Sequence, residues 1–585
     1  MTPYADGATA RPWLAHYPAG VPADIEPVTT GSLGDELALA AATYGDARAF
    51  TMVMPNGMNG HLTFADVDRH SDDFARYLRE VLGLQQGDRV AIQLPNCLAY
   101  PIVAFGTLKA GCVVVNTNPL YTGAELRRQL LDADVSLVVG ADVMASTLAE
   151  VVPDLGGTPV VITAVSDFFP GYVHRIIRTV QKVWNRTLPP IRFPHTRLRA
   201  ALAQGAATGA DAAAYRASLS PESLACLQYT GGTTGISKGA MLTHGNLMAN
   251  GHQMLGFAGE EIQAGRETVL TALPCYHVFA FTVNLLGFHL RGAHNILIPN
   301  PRPLSNLKRA FENYPITWVT GVNTLFHGLT NEEWFWDNPP PALRASISGG
   351  MALHSATAQR WEEVTGSPVV EGYGLTESSP GLTFNPLGGG ERPGTVGVPL
   401  PSTVVRPTRE DGTPAAIGEP GELWARGPQI MAGYWRRPEE TALVLTDGWL
   451  RTGDIGVMDD DGYVRIVDRS KDVIIVSGFN VFPNEVEDAI ASHPGVDSVA
   501  VVGVDAGERG EAVRAVVVRS DQALTADALR AHAAASLTGY KVPSQFVFTD
   551  TLPTSPIGKI LRKDVRTQFA DATPERMLTT AGSTR

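Results

Sequence analysis

The 585-residue sequence has little cysteine: Cys97, Cys112, Cys226 and Cys275, none of them in a C-x-x-C pair. That excludes a disulfide scaffold and a thiol-rich zinc motif, and reads as free thiols buried in a reducing cytosol. Positive charge is also short. There are 46 Lys and Arg against 59 Asp and Glu, a formal net charge of −13. A general nucleic-acid binder carries a basic face, so no nucleic-acid partner is expected. The N-terminus, MTPYADGATARPW, lacks a basic stretch followed by an apolar one, so no signal peptide is expected. Long apolar runs are missing too. Leu98–Val115 is interrupted by Pro101 and Lys109, and reads as a helix followed by a buried strand rather than a membrane span.

What is present suits a globular protein: 44% apolar and 18% charged residues, with 59 Gly and 41 Pro dispersed along the chain. The length exceeds one ordinary core, so at least two domains are expected. Arg89–Leu94 reads as a buried strand, Leu98–Gly111 as a helix and Cys112–Asn116 as the next strand. Thr122 and Glu125 form a T-x-x-E capping box that starts another helix. Further strands are predicted at Ser136–Gly140, Pro159–Ala164, Thr268–Leu273, Asn295–Pro299, Ile316–Gly321 and Arg344–Ser348. Such alternation implies helices packed on mainly parallel sheets. From about Arg469 the texture changes to strand-like runs around a single Ala-rich helix, Thr525–Leu537, a compact α+β unit.

One segment stands apart. Phe168–Arg199 holds seven Lys or Arg and no Asp or Glu. Tyr172, Val173, Ile176, Ile177, Val180, Val183 and Trp184 recur at helical spacing, with Arg175, Arg178, Lys182 and Arg186 mostly opposite. This is the pattern of a helix lying in a membrane interface, or of a surface helix with its apolar face on the core. The absence of acidic residues in an acidic protein favours peripheral contact with an anionic membrane.

The strongest chemical signal is Tyr229-Thr230-Gly231-Gly232-Thr233-Thr234-Gly235-Ile236-Ser237-Lys238-Gly239, leading into Ala240 after an apolar run, LACLQ. Glycines let the backbone approach a phosphate, N–H groups and hydroxyls donate to its oxygens, and a lysine offsets the charge. A Walker A loop would require G-x-x-x-x-G-K-[ST]. Here Lys238 follows Gly235 by three positions and precedes another glycine.

This loop resembles the phosphate-binding signature of the adenylate-forming superfamily of acyl-CoA synthetases, luciferases and peptide-synthetase adenylation domains. Four further stretches resemble that superfamily's motifs in order: Gly372-Tyr373-Gly374-Leu-Thr376-Glu377, Trp449–Asp454, Asp468–Gly478 and Pro553–Lys559. From Trp13 to the C-terminus the chain is most similar to bacterial long-chain fatty-acid–CoA ligases. The resemblance implies an α/β fold: a large multi-subdomain N-terminal adenylation domain with mainly parallel sheets, residues 1–467, and a small α+β C-terminal lid, residues 468–585, hinged near Asp468.

The same resemblance implies the roles. Thr376 would contact the α-phosphate and Glu377 would ligate Mg²⁺, a cation that takes one or two carboxylates plus nucleotide phosphates. Asp454 would accept from the ribose hydroxyls, with Arg469 holding ribose or phosphates. Gly349, Gly350 and Met351 would line the adenine. Lys559 would bridge the substrate carboxylate and the α-phosphate, stabilising charge that builds in the transition state. His277 would stand near the acyl carboxylate and the incoming thiol. Ser477 and Gly478 would border the pantetheine channel, and Lys471 would meet the coenzyme A phosphates. Phe279, Phe281, Val283, Leu285, Leu286 and Phe288, with Val322, Leu325 and Phe326, read as an acyl tunnel or as plain core.

The expected reaction turns ATP, a long-chain fatty acid and coenzyme A into acyl-CoA, AMP and diphosphate through an acyl-adenylate. The expected location is cytoplasmic, on the inner face of the membrane, and a homodimer is left open. The rival readings are an acyl-AMP ligase that serves a carrier protein, a medium-chain synthetase, a luciferase-type oxygenase, and a non-catalytic lipid-binding protein. An uninterrupted run from Arg469 to Gly478 counts against the first.

Overall fold

The strand run Arg89–Gln93 lies at the centre of an eight-stranded sheet. The computed structural model describes residues 11–29, 31–230, 237–476, 479–506, 511–555, 558–570 and 572. Across this sheet the order is Gly433–Tyr434, Lys238–Thr243, Leu224–Thr230, Val113–Asn116, Arg89–Gln93, Leu137–Ala141, Val160–Thr163 and Thr196–Arg197. The inner strands are parallel and their Val-rich runs are buried on both faces, as helix-covered parallel strands must be. At one edge Lys238–Thr243 runs antiparallel to both of its neighbours, Leu224–Thr230 and Gly433–Tyr434. The capping box forms as expected. Thr122 precedes the helix Gly123–Ala133, and its N–H donates to Glu125 Oε2 at 2.8 Å.

A nine-stranded sheet holds the other expected strands. Trp318–Gly321, Thr268–Thr271, Ala345–Ser348 and Val369–Gly374 are parallel, and Gly381–Phe384 turns back antiparallel. The segment Ala280–Phe288 is a wholly buried π-helix, a geometry that recurs at functional sites. Its neighbour Phe279 and its own Val283 and Phe288 join the core that holds Val322, Leu325 and Phe326, whereas Phe281, Leu285 and Leu286 join the core of the eight-stranded sheet. The apolar residues of this stretch are thus shared between two cores. A third, antiparallel sheet contains Gly421–Arg426, Trp449–Met458 and Val464–Arg469.

Beyond it, Val496–Asp505, Glu511–Arg519 and Gln545–Thr549 form a three-stranded sheet. The expectation of a single helix there needs correction. Besides Ala526–Ala534, the helices Pro483–Ala491 and Arg562–Gln568 pack on these strands. Pro483–Ala491 is as long as Ala526–Ala534, but neither missed helix carries the alanine run that marked that one.

The basic segment forms the helix Gly171–Thr179 and continues as a π-turn through Val180–Trp184. Its apolar residues split into two slices. Val173 and Ile177 are buried, whereas Tyr172, Ile176, Val180, Val183 and Trp184 face outward, Trp184 at 79% exposure. The first slice packs on the core, and the second leaves a row of apolar side chains exposed. Among the described residues, no helix is long and apolar enough to cross a membrane. All four cysteines are buried and unpaired.

Candidate active site

The phosphate-loop motif is a hairpin whose arms are the strands Leu224–Thr230 and Lys238–Thr243. Tyr229 lies opposite Gly239, Thr230 opposite Lys238 and Gln228 opposite Ala240. A Cβ on Gly239 would stand 3.1 Å from the Tyr229 ring, so the glycine lets that ring lie across the strand. The Tyr229 hydroxyl donates to Asp132 Oδ2 at 2.7 Å, and the Ser237 hydroxyl donates to the Thr230 carbonyl, closing the base of the turn. Gly231, Gly232, Thr233, Thr234, Gly235 and Ile236 lie outside the described residues, as do Ser477 and Gly478.

The second motif crosses from the strand Val369–Gly374 into a 3-10 turn, Thr376–Ser378. Gly374 is required there, because a Cβ would fall 1.8 Å from the Pro380 carbonyl oxygen. A side chain on Gly372 would strike the Phe384 ring at 2.7 Å. Glu377 is partly exposed. Its Oε1 accepts from the Tyr434 hydroxyl at 2.7 Å, and its backbone carbonyl accepts from Met431 N–H at 2.9 Å. Among the described residues no donor meets Oε2. No cluster of three His, Cys, Asp or Glu there could hold a metal alone. One open carboxylate oxygen beside a phosphate loop is the donor set that suits Mg²⁺ carried by a nucleotide.

The third motif supplies Asp454. Its Oδ2 accepts from the Tyr373 hydroxyl at 2.7 Å, and its Oδ1 pairs with Arg469 Nε at 3.3 Å. Asp454 and Arg469 are also register partners between adjacent strands. Gly349 and Gly350 follow the strand Ala345–Ser348, and Gly350 takes a left-handed φ of +80°. A Cβ on Gly349 would press on the Phe279 ring at 3.2 Å and on the Gly372 carbonyl oxygen at 3.3 Å. The segment Gly349, Gly350 and Met351 therefore abuts the second motif.

The C-terminal part contributes Lys559 from a tight loop. Lys559 N–H donates to Ser555 Oγ at 3.1 Å, and Ser555 N–H donates back to the Lys559 carbonyl at 2.7 Å. Thr324 Oγ1 of the large domain donates to the Gly558 carbonyl at 3.3 Å. Gly558 has φ +85°, and a Cβ there would stand 2.5 Å from Thr324 Oγ1, so both backbone and contact demand glycine. Lys559 keeps some solvent access but is closely surrounded by protein. Burial first, then the nearby Arg469, pushes its ammonium down to about 7, against the opposing pull of Asp454. His277 is pushed down to about 4 by burial and by Lys559, so it is a neutral imidazole at working pH. Burial and Arg469 likewise lower Lys471.

The structure therefore groups Lys238 with Glu377, groups Tyr373, Asp454 and Arg469, and brings Lys559, Lys471 and His277 into electrostatic reach of one another or of that second group.

Comparison with known proteins identifies the family. The AMP-binding enzyme profile matches residues 37–435, and that of the AMP-binding enzyme C-terminal domain matches residues 485–559.

The chain belongs to the AMP-binding enzyme family.

Within this family the chain is 45% identical over 560 residues to a long-chain-fatty-acid–CoA ligase of Escherichia coli O157:H7, covering 95% of this chain and 97% of that one. It is 38% identical over 559 residues to the long-chain-fatty-acid–CoA ligase of Bacillus subtilis, covering 94% and 97%. Among solved structures, ATP-bound MatB from Rhodopseudomonas palustris is similar with a TM-score of 0.78 and 29% identity, over 92% of this chain and 99% of that chain. An α/β fold with a large AMP-binding domain and a small C-terminal domain follows for this family member.

Several participants escaped the sequence reading. Tyr434 and Thr324 meet their partners across 57 and 234 residues, and neither was given a role from the sequence. Glu371 is a third. Burial pushes its carboxyl up to about 8, and Oε1 accepts from Leu353 N–H at 3.1 Å, just beyond Met351. It immediately precedes Gly372 and had no periodic or charge signal of its own.

Proposed function

We propose that this family member is an AMP-forming fatty-acid–CoA ligase acting on long-chain acids, with ATP and coenzyme A as co-substrates and a hinge near Asp468 between residues 1–467 and a lid formed by 468–585. The observation that carries the reading is the delivery of Lys559, from the C-terminal domain, to Asp454 and His277 of the large domain, with Arg469 beside the hinge. The identity to curated long-chain ligases, sustained over nearly the whole chain, supports the substrate class.

The chemistry joins two anions, so the site must offset charge. Lys238 and the donors of the phosphate loop hold the β- and γ-phosphates, Thr376 meets the α-phosphate, and Asp454 accepts from the ribose. Mg²⁺ held by Glu377 and the phosphates supplies further neutralisation when bound. The fatty-acid carboxylate attacks the α-phosphorus and pyrophosphate leaves. The Lys559 ammonium donates to the oxygens on which charge grows, where a preorganised cation acts most strongly. No side chain is acylated. The lid then turns about Asp468, withdrawing Lys559 and presenting the face of Ser477 and Gly478. The coenzyme A thiolate attacks the mixed anhydride and AMP departs. Rotation is needed because one face of the lid cannot serve both half-reactions.

The outward stripe Tyr172, Ile176, Val180, Val183 and Trp184, flanked by Arg175, Lys182 and Arg186, supports docking on an anionic lipid surface from which acyl substrates are drawn. Replacing the exposed Ile176 and Trp184 by serine leaves the buried slice intact. It should weaken partitioning onto anionic vesicles roughly tenfold or more, and unchanged partitioning would contradict the docking. For the activity itself, the test is coenzyme-A-dependent AMP release across fatty acids from short to long. Release should be greatest with long chains, and none with any acid would overturn the proposal.

A further inference from the structure

Tyr434 occupies a place that no motif predicted. It ends the short edge strand Gly433–Tyr434, which pairs with the strand that Lys238 begins. Its backbone is fixed on both sides. Ala432 N–H donates to the Met241 carbonyl at 2.9 Å, Trp435 N–H donates to the Gly239 carbonyl at 2.8 Å, and Tyr434 N–H donates to Thr441 Oγ1 at 2.9 Å. From this anchored position the side chain touches two groups at once. The hydroxyl donates to Glu377 Oε1 at 2.7 Å, and Lys238 Nζ stands 5.1 Å from the ring centroid. The phenol is buried, and its hydroxyl is a neutral donor to the carboxylate.

That arrangement solves a problem posed by the two charged groups. Lys238 and Glu377 have opposite charge and share one site, yet among the described residues they form no direct ion pair. If they collapsed together, the lysine would be spent on the carboxylate and the carboxylate on the lysine. The phenol prevents this from both sides. Its O–H takes one carboxylate oxygen and leaves Oε2 turned elsewhere. Its ring offers the ammonium a weak attraction that leaves the N–H donors free. We infer that Tyr434 is a positioning residue, a neutral spacer that holds the Glu377 carboxylate and the Lys238 ammonium apart and aimed, so that a magnesium nucleotide meets both. The inference rests on the adenylation reading, since it assigns Glu377 to the metal and Lys238 to the phosphates.

The test is calorimetric binding of ATP to the full-length protein without fatty acid, once with Mg²⁺ and once in EDTA. Y434F removes only the hydroxyl. It should weaken binding of MgATP about fivefold or more while leaving metal-free ATP within about twofold. Y434L also removes the ring and should weaken both. Should Y434L not fold, Y434W keeps an aromatic face without the hydroxyl and must behave as Y434F does. The electron paramagnetic resonance signal of Mn²⁺ in the protein–ATP complex should change in Y434F. A merely structural tyrosine would lower Tm and weaken both forms of ATP alike. Y434F binding MgATP as tightly as wild type, or losing both forms equally, would overturn the inference. Wild-type protein that binds MgATP but releases no AMP would instead refute the proposed activity and leave these binding comparisons standing.

Discussion

The two sides of the site are built differently. The floor is part of the large domain's sheets: Asp454 lies on a strand whose register partner is Arg469 at the hinge, Tyr373 and Tyr434 lie on strands, and their hydrogen bonds run 2.7 Å into Asp454 and Glu377. The roof is a loop of the small domain. The large domain meets that small domain through polar contacts such as Thr324 to Gly558 at 3.3 Å, His354 to Asp488 at 2.6 Å and His327 to Asp497 at 3.5 Å. Within the small domain, cohesion is again strong. Arg562 donates to Asp468 at 3.0 Å and to Glu487 at 2.6 Å. Polar contacts with some access to water cost little to break, whereas a ladder-fixed floor cannot move without unfolding. The contrast suits a lid that turns as a unit over a fixed nucleotide cradle.

The largest test of this contrast removes the roof's charge. Lys559→Ala should slow acyl-AMP formation by about 10²- to 10³-fold, the usual cost of losing one transition-state donor. Thioester formation from supplied acyl-AMP should largely survive. Equal losses in both half-reactions would mean that the roof does not move. Gly558→Ala probes the same loop more gently. It places a methyl against Thr324 and strains a left-handed backbone, a cost of order 1–3 kcal/mol. Adenylation should fall about tenfold or more while thioester formation is spared, because the clash with Thr324 exists only when the loop sits on it. Single-turnover measurement of each half-reaction decides it.

Acidity sharpens the comparison further. In the proposed mechanism the ammonium of Lys559 is the active form, and its burial against the site lowers its pKa to about 7 from the exposed-lysine range. The closed lid binds fewer protons than the open one, so closing without ligand releases a proton and grows easier as pH rises above about 7. Catalysis needs the opposite charge state. The kcat/KM for pyrophosphate exchange should therefore decline as pH rises through about 7, and saturation with MgATP, whose anions favour the ammonium, should move that decline to higher pH. A flat profile from about pH 6 to 9 would contradict the burial of Lys559.

What the sequence made legible follows the same division. The floor is written in contiguous motifs, because a strand end and its turn place Gly372 to Glu377, or Trp449 to Asp454, within a few residues of one another. Parallel strands were equally plain, since burial on both faces leaves uninterrupted Val and Leu runs such as Val113–Asn116. Contacts that close over long separations left no local trace: Tyr434 on Glu377, Thr324 on Gly558 and Arg562 on Asp468. The amphipathic helix shows another limit. Periodicity revealed its apolar arc from Tyr172 to Trp184, but only packing could decide that Val173 and Ile177 face inward and the rest outward. The acyl-tunnel reading stopped at the same point, as the residues around the π-helix divide between two cores.

The smallest expected effect lies at the rim of the roof. His354 Nδ1 meets Asp488 Oδ1 at 2.6 Å across the two domains. Burial works against the imidazolium, but the Asp488 bond outweighs it and raises the pKa of His354. A histidine raised in the closed state stabilises closure fully below its open-state value of about 6.5 and loses that contribution as pH rises through the closed-state value. Its sign is therefore opposite to that of Lys559, and the two together broaden the pH range over which the lid can close. Asp488 is half open to water, which limits the pair to about 1 kcal/mol. His354→Ala should accordingly reduce adenylation by no more than about fivefold near pH 6 and leave it nearly unchanged near pH 8. A loss that grew towards high pH would show that His354 acts other than through Asp488.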